Sequence, residues 1–399
     1  MPEINPGMLR WARESAGLPL DRAAERLAIG SARDMDGTAR LAAYERGDEY
    51  PSRPLLRKMA KRYRRPLLSF YLDHVPPADE SGHDFRMLPV GERGETDALL
   101  APLLRDVKAR QGLLSSALRE DEDRKSVDFT GSFDRKLGVD KAATAISELI
   151  GFNLPEFSGF SKPNEAFKWL RGKVEQAGVF VLLVSDLGSW HSQIEVKTFR
   201  GIALVDSWAP FIVINANDAR SAWSFTLLHE FAHLMIGEGG VSGIVNADSA
   251  VEQFCNDTAS EMLMPAERLS QIELPQTFDL AAVIETISTV SVEHNVSRPL
   301  LAYRLYRANR LSRDQWVALR EELAKRGRYE RERQRQADRR KSGGPNGTIV
   351  RRYRLGHSLR AATKEMLDEG QLSTSKAAKV LGVHPRRLAS MIENEKAST

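Results

Sequence analysis

The chain has 399 residues, 42% hydrophobic and 28% charged, which is enough apolar material for two or three domain cores. Its single cysteine, Cys255, excludes an internal disulfide. No basic-then-apolar leader opens the chain and no apolar run reaches membrane-spanning length, so a reducing cytoplasm without membrane insertion is expected. The net charge of +4 is modest, so its distribution matters more than its sum.

Residues 1–75 predict a bundle of five helices. Met8 to Ala16 gives one amphipathic helix ended by Gly17, and Leu20 to Leu27 a second with Asp21 near its start. Thr38 is placed to cap a third, ARLAAYERG, after which come Pro51 and the run PLLRKMAKRYRRPLLSFYL. The series, with Tyr44, Glu45 and Gly47 in a Y-E-x-G segment, resembles the Xre/Cro-type helix-turn-helix. That resemblance implies DNA as a partner, met by Arg33, Arg40 and Arg46 at phosphates or base edges. The segment GSARDMDG is longer than the usual tight turn, and 14 Lys/Arg against 10 Asp/Glu make the stretch only mildly basic. The competing reading is a helical interaction module that no longer binds DNA.

Pro76, Pro77 and ADESGHD form a connector. Residues 95–123 then predict one long helix with a leucine stripe, followed by helices at 140–151 and 163–176. Three β runs come next: VFVLLVS at 179–185, GIALVD at 201–206 and FIVINA at 211–216, bounded by Gly, Pro and Asp. A small sheet of this kind can hold an extended substrate by adding it to an edge strand.

The stretch FTLLHEFAHLMIG, residues 225–237, carries the chemistry. His229 and His233, four apart, share one face of a helix and can reach a single metal ion, while Glu230 is near enough to take a proton from water. The other positions are apolar, so the helix should be buried nearly all round, where polar groups are costly unless paired or metal-bound. A hydrolytic zinc takes three protein ligands and keeps one position open. Glu238, Asp248, Glu252, Asp257 and Glu261 are the candidates downstream. Glu238 follows His233 too closely to turn back onto the same ion. Glu252, opening the helical stretch VEQFCNDTASEMLMPAERL, is preferred and Glu261 comes second. Asn256, one turn after Glu252, is placed to accept the distal N–H of a ligating histidine. Cys255 reads as a small buried residue.

HEFAH, then EQFCN, then EMLMP, resembles the ImmA/IrrE family of zinc metallopeptidases. The resemblance implies a compact zincin-like fold, Zn2+ held by His229, His233 and Glu252, and Glu230 as the catalytic carboxylate. It also implies a protein substrate, typically a transcriptional repressor, whose cleavage switches on genes for mobile elements or stress response.

FDLAAVIETISTV and SRPLLAYRLYRANRLS, the latter capped by Ser297, resemble the helical subdomain that follows this catalytic core. His191, Tyr303 and Tyr306 are the residues available to steady an oxyanion. From Lys325 to Arg360 there are 13 Lys/Arg against 3 Asp/Glu, with the turn-rich RKSGGPNGT in the middle. STSKAAKVLGVHPRRLASMIE then reads as a second small helix-turn-helix, its second helix beginning near Pro385, with Arg386 and Arg387 where a DNA reader places its contacts.

The expected fold is α+β and mostly helical: an N-terminal helix-turn-helix bundle (1–75), a linker and helix (76–160), a zincin-like metallopeptidase lobe with a small sheet (161–275), a helical subdomain (276–325), and a basic linker with a C-terminal helix-turn-helix-like segment (326–399). The expected function is zinc-dependent cleavage of a repressor. Two rivals stand beside it: a DNA-binding transcriptional regulator that keeps the peptidase fold as a scaffold, and a toxin–antitoxin or phage-defence component with restrained proteolysis.

Overall fold

The computed structural model describes residues 3–16, 18–32, 35–63, 65–74, 99–187, 192–242, 249–340 and 346–393. They divide into two compact units, Met1–Val107 with Asp186–Thr198, and Lys108–Ser185 with Phe199–Thr399.

The first unit holds helices α1 (Pro6–Ser15), α2 (Leu20–Leu27), α3 (Gly37–Arg46) and α4 (Arg53–Tyr63), then a 3-10 turn over Leu67–Tyr71. Four α-helices and a 3-10 turn therefore stand where five helices were expected. Asn5 starts α1, its side chain accepting from the Gly7 N–H at 2.9 Å, with Pro6 in the first turn where a missing N–H costs nothing. The cap of α3 is Asp36, which accepts from Ala39 N at 2.7 Å, and not Thr38; the helix begins two residues earlier than expected. Leu9, Ala12, Leu27, Leu41, Tyr44, Leu56, Met59 and Phe70 form the core. The Y-E-x-G segment has a structural job here. Tyr44 is buried, Glu45 takes both forks of the Arg13 guanidinium at 2.6 and 2.9 Å, and Gly47 ends α3. Arg13 also donates to Leu18 O, so the pair ties α1 to α3 and to the α1–α2 turn.

Helix α5 (Leu100–Glu120) leads into the second unit, which continues with α6 (Val139–Ile150), α7 (Leu154–Ser158) and α8 (Pro163–Gln176). Strands β1 (Phe180–Val184), β2 (Gly201–Leu204) and β3 (Phe211–Asn215) precede α9 (Arg220–Ile236); β4 (Gly240–Ser242) and α10 (Ala250–Leu263) follow it. The sheet order is β1-β3-β2-β4, with β1 parallel to β3 and the other pairs antiparallel. The three expected strands are present within one or two residues, and β4 is an addition. β1, β2 and β3 are near-continuous apolar runs because both faces are covered. One face, formed by Val181, Leu183, Ala203, Ile212 and Ile214, packs into the same core as Phe167 and Leu170 of α8 and Leu227 and Phe231 of α9.

Beyond α10 come α11 (Ala266–Ser270), α12 (Leu280–Glu293), α13 (Arg298–Arg307) and α14 (Arg313–Arg340), the last running well past the expected boundary at 325. Then follow α15 (Gly347–Leu355), α16 (His357–Asp368), α17 (Thr374–Val380), a 3-10 turn over Pro385–Arg387 and α18 (Leu388–Ile392). These last helices belong to the second unit and are joined to it by a buried ion pair. Arg171 and Glu175 of α8 are 2.9 Å apart. Arg171 donates to Val181 O on β1 and to Tyr353 O on α15, and Glu175 accepts from the N–H groups of His357 and Ser358 at the start of α16. No helix among the described residues is long and apolar enough to cross a membrane.

Candidate metal centre

Helix α9 is apolar on nearly every side, with Leu227, Leu228, Phe231, Ala232 and Leu234 all buried. Such a helix takes its position from the core and not from a polar face. It ends at Gly237, which has φ +70° and approaches Gly131 so closely that a side-chain carbon there would stand 2.9 Å from the Gly131 Cα. The Gly131 and Phe133 amides donate to Leu234 O and Met235 O, so the carbonyls at the end of α9 are satisfied by the crossing segment.

His229 and His233 lie one turn apart with ring centroids 4.8 Å apart, and Glu252 reaches them from α10. The donor atoms form a nearly equilateral triangle. His229 Nε2 and His233 Nε2 are 3.2 Å apart, His229 Nε2 and Glu252 Oε2 3.3 Å, and His233 Nε2 and Glu252 Oε1 3.2 Å. A tetrahedral ion with ligand bonds of roughly 2.0–2.1 Å needs ligands about 3.3–3.4 Å apart. The three donors match one face of such a tetrahedron and leave the fourth corner for another ligand. Among the described residues, these three are the His/Cys/Asp/Glu group able to hold a metal ion.

The surrounding groups suit ligation. His233 Nδ1 lies 2.9 Å from Glu238 O, a contact in which the ring N–H donates and the Nε2 lone pair faces the triangle. Burial disfavours the Glu252 carboxylate, but hydrogen bonds from His229 and His233 outweigh it and hold its pKa below the ordinary range. Burial also disfavours the His233 imidazolium, but hydrogen bonds to Cys255 and Glu252 and the charge of Glu230 outweigh it and raise its pKa.

Glu230 is fully buried beside the two histidines. Its space is made by a residue on the sheet. A methyl group at Gly201 of β2 would stand 2.6 Å from the Glu230 carboxyl carbon and 2.7 Å from its Cγ. Gly201 pairs with Ile214, on the sheet face turned toward α9. At the sequence level Gly201 is only the start of a strand; a glycine opening an apolar run is also the signature of a close approach.

The other acids are engaged elsewhere. Asp257 accepts from Tyr303 Oη at 2.6 Å and from both forks of Arg307, and Glu261 pairs with Arg304. These bonds hold α13 to α10. The Glu238 side chain pairs with Arg135 at 3.2 Å, while its carbonyl orients His233. Asp248 and His191 lie outside the described residues. Tyr306 stacks on Trp316 with centroids 4.6 Å apart. Asn256 stands half-buried on α10, and for His233 it is a backbone carbonyl, Glu238 O, that accepts from the distal nitrogen.

Of the arginines expected at DNA, Arg33 lies outside the described residues. Arg40 is turned inward, donating to Gly30 O at 2.6 Å and to Tyr44 Oη at 3.0 Å. Arg46 pairs with Asp48 at 2.8 Å. Arg386 and Arg387 are exposed in the 3-10 turn before α18, where His384 Nδ1 accepts from Arg386 N.

Residues 175–306, from the end of α8 through most of α13, match the peptidase M78 family, described as the IrrE N-terminal-like domain. This stretch, which contains the sheet, α9 and α10, belongs to that family, in line with the ImmA/IrrE resemblance. No curated protein and no solved structure matches the chain.

Proposed function

We propose that the protein is a zinc-dependent endopeptidase whose substrate is another protein, a transcriptional repressor, and whose action switches gene expression in stress response or mobile-element control. The observation that carries the peptidase reading is the 3.2–3.3 Å triangle of His229, His233 and Glu252 around a position of tetrahedral size, next to a buried carboxylate. Two imidazoles and one carboxylate form a borderline donor set that suits zinc. When bound, zinc acidifies a water to a pKa of about 7 and polarises a carbonyl.

The chain's own groups do the rest. His233 is kept in the ligating tautomer by Glu238 O. Glu230, held in the space left by Gly201, takes a proton from the attacking water and delivers it to the departing amine. The core around α9 excludes bulk water from this carboxylate, which strengthens its electrostatic role.

Substrate reaches the site as an extended strand. The outer side of β1 is occupied by Arg171 and α15, whereas β4 pairs only with β2 among the described residues. Ser242 of β4 lies opposite Gly201, the residue against Glu230. Strand addition selects a locally unfolded segment, such as a flexible linker in a repressor.

The test is to compare proteomes of cells carrying the wild type and Glu230→Gln, then to incubate the purified candidate with each. Glu230→Gln keeps one zinc per chain and stops cleavage. Cleavage at the wild-type rate would rule out Glu230 as the base, and a wild type that binds no zinc would end the metallopeptidase reading.

A further inference from the structure

We propose that helix α4 is a docking face for the phosphate backbone of duplex DNA, and that the first unit holds DNA without reading its sequence. Arg53, Arg57, Lys58, Lys61 and Arg62 are all exposed on α4, and the helix has no acidic residue. At 3.6 residues per turn these five side chains occupy one half of the helix circumference. Leu56, Met59 and Tyr63 occupy the other half and are buried in the core of the unit. Among the described residues Arg53, Arg57, Lys58 and Lys61 make no ion pair or hydrogen bond. Arg62 donates to Arg26 O across to α2, which fixes the helix in place. Arg65 is not part of this face, since its guanidinium lies 3.9 Å over the Trp11 ring.

Arg53, Arg57 and Lys61 form one row, each step about 6 Å along the axis, with Lys58 and Arg62 beside it. A rigid double row of unneutralised cations is complementary to a duplex, which carries a charge about every 1.7 Å of its axis. Two other polyanions fit less well. The exposed half of α4 offers no aromatic ring, and single strands are held by stacking as well as charge. Its apolar half is spent in the bundle core, so it has nothing to insert into a membrane interface. Of the arginines expected at DNA, the two on α3 are occupied: Arg40 braces Gly30 and Tyr44, and Arg46 is paired with Asp48. Phosphate contacts without base contacts position a protein on DNA but carry no sequence information.

The test uses the full-length, zinc-loaded protein and fluorescence anisotropy with two unrelated duplexes of equal length. The two should bind within about threefold of each other, with affinity falling steeply as salt rises. Replacing Arg57→Gln, Lys58→Gln and Lys61→Gln together should weaken binding at least tenfold and make the log–log salt slope shallower by about 2–3, at roughly 0.9 for each phosphate no longer neutralised. If that variant loses helix content, the pair Arg57→Gln and Lys61→Gln carries the same prediction with a slope change of about 2. Arg386→Gln with Arg387→Gln should bind as the wild type does. The proposal is overturned if a folded α4 variant binds as the wild type does, or if the Arg386/Arg387 variant is the one that binds weakly. It is overturned equally if one duplex is preferred by a hundredfold, or if binding is confined to single strands or to vesicles containing phosphatidylserine.

Discussion

Helices α9 and α4 both carry ionisable side chains, and they place them in opposite surroundings. On α9 the polar groups are buried among leucines and phenylalanines, and each is held by a neighbour on another element: Glu252 from α10, the Glu238 carbonyl, Gly201 from β2. On α4 the cations stand in solvent, with Arg62 alone among them reaching a neighbour, the Arg26 carbonyl, while the apolar side is buried in the core. Burial makes position decisive in the first case, since a displaced group cannot be replaced by water. Exposure makes total charge decisive in the second, since any one cation can be exchanged for another.

Substitutions can break or sharpen that contrast. The largest effect is expected for Glu230→Gln, which removes the proposed base while keeping the side-chain volume. Peptide cleavage should fall by about 10²–10⁴-fold, the usual range for losing a general base, with zinc content unchanged by elemental analysis. Next is Gly201→Ala. The added methyl group forces the Glu230 side chain to move without touching a ligand, so turnover should fall about 10²-fold while zinc is retained. Full activity in this variant would mean that position is less decisive at the buried site than the contrast requires.

A smaller effect concerns pH. Burial disfavours the His233 imidazolium, but hydrogen bonds and the Glu230 charge outweigh it and raise the pKa. A proton and a cation compete for its Nε2. Zinc binding should therefore release about one proton and strengthen about tenfold per pH unit between pH 6 and 8. Calorimetry in two buffers of different ionisation enthalpy measures the release. The smallest effect belongs to the first unit. Asp36→Ala removes the cap of α3 and should cost about 1 kcal/mol in thermal unfolding of that unit, with cleavage unchanged.

The same contrast explains what is legible in the sequence. An H-E-x-x-H pattern inside an apolar run leaves little choice about where the two rings point, and Glu252 stands out among five acids because it opens the next helix. The orientation of His233 is not legible, because its partner is a backbone carbonyl, which every residue possesses and no pattern marks. Gly201 passes as a strand boundary because its meaning depends on a side chain about thirty positions away. Arg40 looks like a DNA contact because a sequence does not show whether a guanidinium meets solvent or returns to a carbonyl of its own fold. The cap of α3 is ambiguous between Asp36 and Thr38, two residues that both cap well, where only the backbone path decides. β4 is three residues long and carries too short a pattern to be seen.

The buried pair of Arg171 and Glu175 gives the end of the chain a structural duty. A protease that clipped the chain ahead of Asn346 would strip the guanidinium of its acceptors on α15 and the carboxylate of its amide donors on α16. It would also uncover the flank of β1, baring a hydrogen-bonding rim of the kind that recruits other chains into aggregates. Trimming the carboxyl-terminal helices would thus cost solubility as well as a domain, and they are better regarded as a seal on the sheet than as a detachable tail.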